Sequence, residues 1–260
     1  LVSLGVDHID YQVNPKVGVT LNPLPNTTLR AAIFRTLKRS LLSDQTIEPT
    51  QVAGFNQFFD DGEGTDAWRY GVGIDQRFSP TLYAGAEVSK RNLEVPFLDT
   101  DTSNGVTRKR EVDWKEYLAR AYLYWTPRTW LALSGEYQFE RFDRNKEFTA
   151  SVKEVNTHRL PFGISLFHPS GFSARLKATY VDQSGDFNPQ NSPPDFFQHG
   201  ADRFWVVDAG VRYRLPNRLG FITVEARNLL DERFKFQDTD PANPQIQPAR
   251  SVFVRLTLAF

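Results

Sequence analysis

His168-Pro169-Ser170 sets a base and a nucleophile two positions apart, residue types with which an imidazole can take the proton of a serine hydroxyl. The turn-like composition around it supplies no Asn or Asp to orient the imidazole, so a turn histidine is the expected reading. The chain has four histidines and no cysteine, which excludes a thiol nucleophile, a disulfide scaffold and a Cys-ligated zinc site together. Asp7-His8 and His158 would suit an acid–imidazole pair, but they occur once each at strand ends and read as solvated groups. The acidic run Phe58-Phe59-Asp60-Asp61-Gly62-Glu63-Gly64-Thr65-Asp66 offers the oxygens a hard cation takes, yet lacks the spacing of an EF-hand loop, and a solvated loop is expected. Gly62-x-Gly64 and Gly71-x-Gly73 have no strand-to-helix context for phosphate binding. Phe197 and His199, in a long polar segment, are the candidates for ligand contact. No covalent reaction, cofactor or metal site is expected.

The elements that position these residues are strands. The 260 residues carry 31 basic and 31 acidic side chains, which removes the basic excess that a nucleic-acid partner would favour. No segment approaches the ~18 to 20 consecutive apolar residues of a membrane helix. Alternation with period two is the dominant signal, as in Val252, Val254, Leu256, Leu258 and Phe260 against Ser251, Phe253, Arg255, Thr257 and Ala259. The same pattern runs through 222–227, 205–214, 172–180, 160–166, 131–139, 117–125, 82–88, 68–74, 29–33 and 17–21, making eleven strands. Their connections alternate in kind. Short turns sit at Pro23-Leu24-Pro25-Asn26, Ser79-Pro80-Thr81, Thr126-Pro127-Arg128, Pro169-Ser170-Gly171 and Pro216-Asn217-Arg218. Long polar loops fall at roughly 40 to 66, 96 to 113, 143 to 156, 185 to 202 and 236 to 249. Short turns at one end and long loops at the other predict a transmembrane antiparallel up-and-down β-barrel over 1–260, with periplasmic turns and extracellular loops.

The two faces support that reading. The polar set is Lys16, Arg30, Arg69, Asp75, Arg77, Glu87, Arg91, Glu116, Arg120, Glu136, Glu140, Arg175, Lys177, Asp208, Arg212, Arg214, Glu225, Arg227 and Arg255, twelve basic and seven acidic. As a lumen wall these charges would pair across strands or favour anionic solutes, with Arg69, Arg77, Glu87, Arg120, Glu136, Arg175, Arg212, Glu225, Arg227 and Arg255 as the principal lining candidates. The alternative is a soluble lipocalin-like barrel with these charges outside. Eleven strands exceed the eight usual there, and the apolar set carries aromatics near strand ends (Trp125, Phe78, Phe172, Tyr213, Phe260, Trp68, Tyr137, Phe139), as a lipid–water boundary favours. The opening run Leu1-Val2-Ser3-Leu4-Gly5-Val6 reads as the upper end of a clipped strand in a processed or truncated product. Either about twelve strands close a small barrel, or these are the last twelve of a larger one.

Two stretches carry a resemblance. Phe221-Ile222-Thr223-Val224-Glu225-Ala226-Arg227-Asn228-Leu229-Leu230-Asp231-Glu232-Arg233-Phe234, followed after a polar loop by Pro248-Ala249-Arg250-Ser251 and the final strand, resembles the C-terminal part of the barrel of TonB-dependent outer-membrane receptors. Asn14-Pro15-Lys16-Val17-Gly18 and Pro25-Asn26-Thr27-Thr28-Leu29-Arg30-Ala31 are a second echo of that family. The resemblance implies residence in the outer membrane of a Gram-negative bacterium, and assembly by the barrel machinery with Phe260 in its signal. It also implies passage of a small solute such as an iron chelate, and coupling to TonB where a plug exists upstream; the family's plug and its coupling segment do not appear in these residues. Asn228 and Asp231 are also what a turn needs, through side-chain to backbone hydrogen bonds. A standalone twelve-strand porin and a barrel anchoring an upstream periplasmic domain are the other readings.

Overall fold

The computed structural model describes residues 3–4, 13–38, 51–56, 61–100, 105, 107–144, 152–188, 196–234 and 249–258. The strands are β1 (Ser3–Leu4), β2 (Val13–Asn14), β3 (Lys16–Leu24), β4 (Thr27–Leu37), β5 (Gln51–Val52), β6 (Phe55–Asn56), β7 (Asp66–Ser79) and β8 (Leu82–Thr100). They continue with β9 (Thr107–Arg128), β10 (Leu131–Arg144), β11 (Val152–Phe167), β12 (Phe172–Phe187), β13 (Gln198–Arg214), β14 (Gly220–Arg227) and β15 (Ser251–Leu258). Eleven of them form one antiparallel sheet in the order β15-β14-β13-β12-β11-β10-β9-β8-β7-β4-β3, while β1–β2 and β5–β6 are separate short pairs. Among the described residues no ladder joins β3 to β15. The all-β, up-and-down antiparallel arrangement agrees with the alternation in the sequence.

The short turns form where chirality permits them. Asn26, Gly171 and Asn217 take left-handed φ values of 65°, 93° and 54°, the conformation that Asn and Gly tolerate best. One predicted turn moves: β9 runs through Pro127 to Arg128, and the chain reverses at Thr129–Trp130 instead. The long connections differ more from expectation. β8 and β9 stay paired to Thr100↔Thr107, so most of the loop expected at 96–113 is a projecting hairpin. β10 and β11, and β12 and β13, likewise extend into the segments expected as loops.

These extensions show why the strands are long: the apolar side chains change faces part-way along. The face on which hairpin β5–β6 lies is here called inner. Near the short turns, β8 points Leu82, Ala84, Ala86 and Val88 outward and Tyr83, Glu87 and Ser89 inward. Beyond Lys90 the order reverses, with Leu93 and Val95 buried on the inner face and Asn92 and Glu94 outward. β9 repeats this, with Ala119, Ala121, Leu123 and Trp125 outward below and Val112 and Trp114 inward above. On β10 to β13 the upper inner face holds Phe142, Val155, Val181 and Phe204, all buried, while Asp143, Glu154, Asp182 and Arg203 share the opposite face. The lower outward residues stay uncovered, Val72, Val88, Phe162, Ile164, Leu176 and Val211 among them. Aromatic side chains bound the lower outward band: Trp68, Tyr70, Tyr117, Phe139, Tyr180 and Trp205 form an upper row at the change of face, and Phe78, Trp125, Phe172 and Tyr213 a lower one near the short turns. The apolar-face aromatics expected from the sequence all lie in or beside these rows except Phe260, which is outside the described residues.

At the end of β14 the Asn-Leu-Leu-Asp segment ties three stretches of chain together. The Asn228 amide donates to the Asp208 carboxylate on β13 (3.0 Å), the Asn228 side chain accepts from the Glu232 amide (3.0 Å), and it donates to the Glu232 carbonyl (2.9 Å). Asp231 accepts from the Arg250 amide at 2.9 Å, immediately before β15. Asn228 and Asp231 both have positive φ, 48° and 54°. The motif is thus a turn clasp. Asn228→Ala should cost about 1 to 3 kcal/mol by leaving backbone groups of Glu232 unsatisfied, seen as a lower urea midpoint of the folded protein and faster exchange of the Glu232 amide.

Candidate functional site

The lower inner face is charged because its neighbours are charged, strand by strand. On β4, Arg30 donates from Nε to Asp75 of β7 (2.7 Å) and from Nη2 to Glu87 of β8 (3.1 Å). Tyr122 of β9 donates its hydroxyl to the other oxygen of Asp75. Arg120 of β9 forms a two-pronged pair with Glu136 of β10, at 3.2 and 3.1 Å, and Gln138 adds a third donor at 3.1 Å. Tyr83 stacks on Tyr122 beside these groups, with ring centroids 5.9 Å apart, and Tyr124 lies tilted against Tyr122 at 5.4 Å. Period two alone brings these residues to one face, and the ladder sets their heights. Hydrogen bonds on each carboxylate offset the desolvation that partial burial imposes, so the network fixes side-chain positions as well as charge.

Above it lies a second cluster. Arg91, 4% exposed, pairs with Glu116 at 2.6 Å and with Asp61. Asp61 and Asp66 of the acidic run therefore engage arginines, Asp66 with Arg35, and among the described residues no group of three ligands could hold a metal ion.

Hairpin β5–β6 packs onto this wall from the loop that precedes β7. Ala53 and Gly54 both have positive φ (46° and 87°), the signature of a two-residue type I′ turn. Phe55 is buried against Ala32 and Phe34, with the Arg30 and Arg69 guanidiniums 5.3 and 5.8 Å from its ring centroid. Arg69 donates to the Asn56 carbonyl and, at 3.1 Å, to Ser89. Two glycines leave the room: a Cβ on Gly71 would sit 2.6 Å from the Phe55 ring, and one on Gly18 would sit 2.7 Å from Val52. Between hairpin and wall is a cleft of about 280 Å3 lined by Arg69, Glu87, Ser89, Arg120, Gln138 and Glu140.

All the charges assigned to one face by alternation do share the inner face, but they do not form one site. Arg69, Glu87 and Arg120 line the cleft, and Glu136 pairs with Arg120 beside it. Arg77 stands apart, exposed near the short-turn end of β7. Arg175, Arg212, Glu225, Arg227 and Arg255 line β12 to β15 with Lys177 and Arg214, and among the described residues none of them forms an ion pair. Arg212 instead stacks over Phe221 (3.8 Å) and Arg227 over Phe253 (5.3 Å). Phe197 immediately precedes β13, and His199 lies on β13's outward face, 3.2 Å from Asp186, so neither joins the cleft.

The other candidate histidines are placed by local bonds. His168 Nδ1 is 2.7 Å from Ser170 Oγ and accepts from the Ser170 amide at 3.3 Å, all within the exposed turn. His158 bonds Tyr137 at 2.8 Å on the outer face. Asp7, His8 and Phe260 lie outside the described residues. The hairpin, with its Phe55 anchor, was not foreseen; its signal is Ala53-Gly54, weaker than Asn-Gly or Asp-Gly.

Because the chain lacks cysteine, a single introduced thiol reports on hairpin docking. Gly71→Val should oppose docking by about 1 to 3 kcal/mol through overpacking, so that Ala53→Cys reacts with a polar maleimide roughly tenfold faster than in the Gly71 background. Compared with protein-family models, curated proteins and solved structures, the chain finds no match.

Proposed function

We propose that this chain is the wall of an outer-membrane transport or receptor barrel of a Gram-negative bacterium, resembling the C-terminal barrel of TonB-dependent receptors. The observation that carries the reading is the change of face along β8 to β13. A water-soluble sheet has no cause to turn its apolar side chains outward at one height and inward at the next. A strand that leaves lipid for water does, because the lipid-facing side must be apolar within the bilayer and the inner side becomes the place for a core above it. Trp125 and Tyr117 mark the two rows on β9, eight residues apart. At ~3.4 Å per residue and a tilt of ~40° that is roughly 21 Å, close to the ~25 Å apolar band of such barrels.

Solute capture belongs to the loop end and passage to the charged inner face. The unpaired basic wall of β12 to β15 favours an anionic solute. A second reading, a passive channel closed by about twelve strands, gains support from hairpin β5–β6, which itself narrows the inner face without a separate plug.

Two experiments test these readings. Leu256→Arg or Val224→Arg, both outward and exposed, should each cost about 2 to 4 kcal/mol in bilayer-folded protein if they face mid-bilayer lipid; near-zero cost with retained insertion would overturn the inside–outside assignment. In a planar lipid bilayer the purified chain should give no steady open-channel current if its edges belong to a larger, plugged barrel. Steady current would establish the passive channel in its place.

A further inference from the structure

Charges on the outer face at the upper aromatic row are unevenly satisfied. Arg35 pairs with Asp66, Arg141 with Glu154 at 3.2 Å, and Arg203 with Asp182 at 3.0 Å. Lys90 and Lys115, on the neighbouring strands β8 and β9, make no ion pair among the described residues. The ladder places Lys90 between Tyr70 and Tyr117 and Lys115 between Asn92 and Asp143, whose carboxylate lies beyond ion-pair distance of it. The two lysines are therefore diagonal neighbours on one face, about 7 to 8 Å apart along the backbone. Lys90 Nζ lies 5.4 Å from the Tyr117 ring centroid, a contact that holds the ammonium over the aromatic row.

Directly below is an outward cleft of about 420 Å3, walled by Tyr70, Val72, Val88, Tyr117, Ala119 and Phe139, with Lys90 at its mouth. Its lining side chains below Lys90 are apolar apart from the tyrosine hydroxyls, and it opens on the same side as the uncovered Val72 and Val88. An acyl chain lying there loses contact with water along its length. The Lys90 ammonium at the mouth, flanked by Tyr70 and Tyr117, and Lys115 one step above it, neither of them in an ion pair among the described residues, favour negative charge that is not already balanced by a cation of the same molecule. A zwitterionic headgroup brings its own cation; an anionic phosphate diester or monoester does not.

We propose that this cleft holds one acyl chain of an anionic, phosphate-bearing membrane lipid, with Lys90 and Lys115 on the headgroup phosphate. The site rests on the membrane reading above and adds to it a preferred lipid at a fixed place on the wall. Trp68 reports on it, since its ring stacks on Tyr70 with centroids 6.2 Å apart. The full chain is reconstituted in phosphatidylcholine vesicles containing brominated phosphatidylglycerol or brominated phosphatidylcholine, and the tryptophan quenching that Trp68→Phe abolishes is measured. Brominated phosphatidylglycerol should be preferred by roughly fivefold for each lysine. Lys90→Ala with Lys115→Ala should abolish the preference and keep quenching by the neutral lipid, while Ala119→Leu should weaken both by filling the cleft. Equal quenching by the two lipids in the unaltered chain, or a preference that survives the double substitution, overturns the site alone. Failure of the chain to enter any vesicle overturns the membrane reading and the site with it.

Discussion

Each long strand of this protein turns its apolar side chains to opposite faces at two heights while keeping one hydrogen-bond ladder. The ladder runs unbroken from Asp75↔Gly85 to Asp66↔Glu94 and from Leu82↔Trp125 to Thr100↔Thr107, because an unpaired amide costs free energy whether lipid or a packed core surrounds it. Side chains have no such continuity. On β8 the apolar series ends at Val88 and resumes at Leu93, an odd step, so it resumes on the other face. A one-residue slip of register would reverse both halves together and expose Leu93 and Val95 while burying Asn92 and Glu94. The two halves therefore hold the register against each other, and no bulge is needed at the crossing. Trp68, Tyr70, Tyr117, Tyr180 and Trp205 fall where the series changes face because their rings are apolar and their tips polar.

The charged network follows from the lower half of that arrangement. With the outer side given to apolar residues, every second position takes what the inner side requires, and the inward positions there carry most of the charges of the central strands, among glycines and a few apolar residues such as Leu118 and Val206. Where the strands carry both signs, the groups meet. Arg30 joins β4, β7 and β8 through two carboxylates, and Tyr122 extends the chain of bonds to β9. Where they carry mostly one sign, as in Arg175, Lys177, Arg212, Arg214, Arg227 and Arg255, no ion pair forms among the described residues, and Arg212 and Arg227 lie over aromatic rings instead. An overall charge of zero thus conceals two inner surfaces of opposite habit, one internally neutralised and one basic.

The existence, order and lower faces of all eleven sheet strands were legible from alternation, as was the sharing of one face by every charge assigned to it. Strand length was not. The alternation in Leu82 to Val88 breaks before Leu93, and a break in phase reads locally as the end of a strand; only the cross-strand partners of 93–97 show that the pairing continues. The pairing of Arg30 with Glu87 was equally out of reach, since β4 and β8 are two strands apart and their relative height depends on both intervening registers. The clasp at Asn228 was legible in kind, as side-chain to backbone bonding at a turn, but its reach to Asp208 and its link through Asp231 to Arg250 come from tertiary placement.

The hairpin at 51–56 shows how side-chain packing furnishes the inner face. Gly18 and Gly71 leave no side chain on β3 and β7 where Val52 and Phe55 arrive, and the phenyl ring settles between two arginines that are already fixed, Arg30 by its carboxylates and Arg69 by the hairpin's own Asn56 carbonyl and by Ser89. Each guanidinium–ring contact is worth about 0.5 to 2 kcal/mol depending on desolvation, and the ring adds its burial against Phe34 and Ala32. Arg69 is thereby shared: it faces the cleft and also holds the element that forms one side of it. Under the transport reading, an anion that drew Arg69 into the cleft would compete directly with the bond that keeps the hairpin down. Solute binding and widening of the path are then coupled through one guanidinium, because that group cannot direct the same donors at Asn56 and at an anion together.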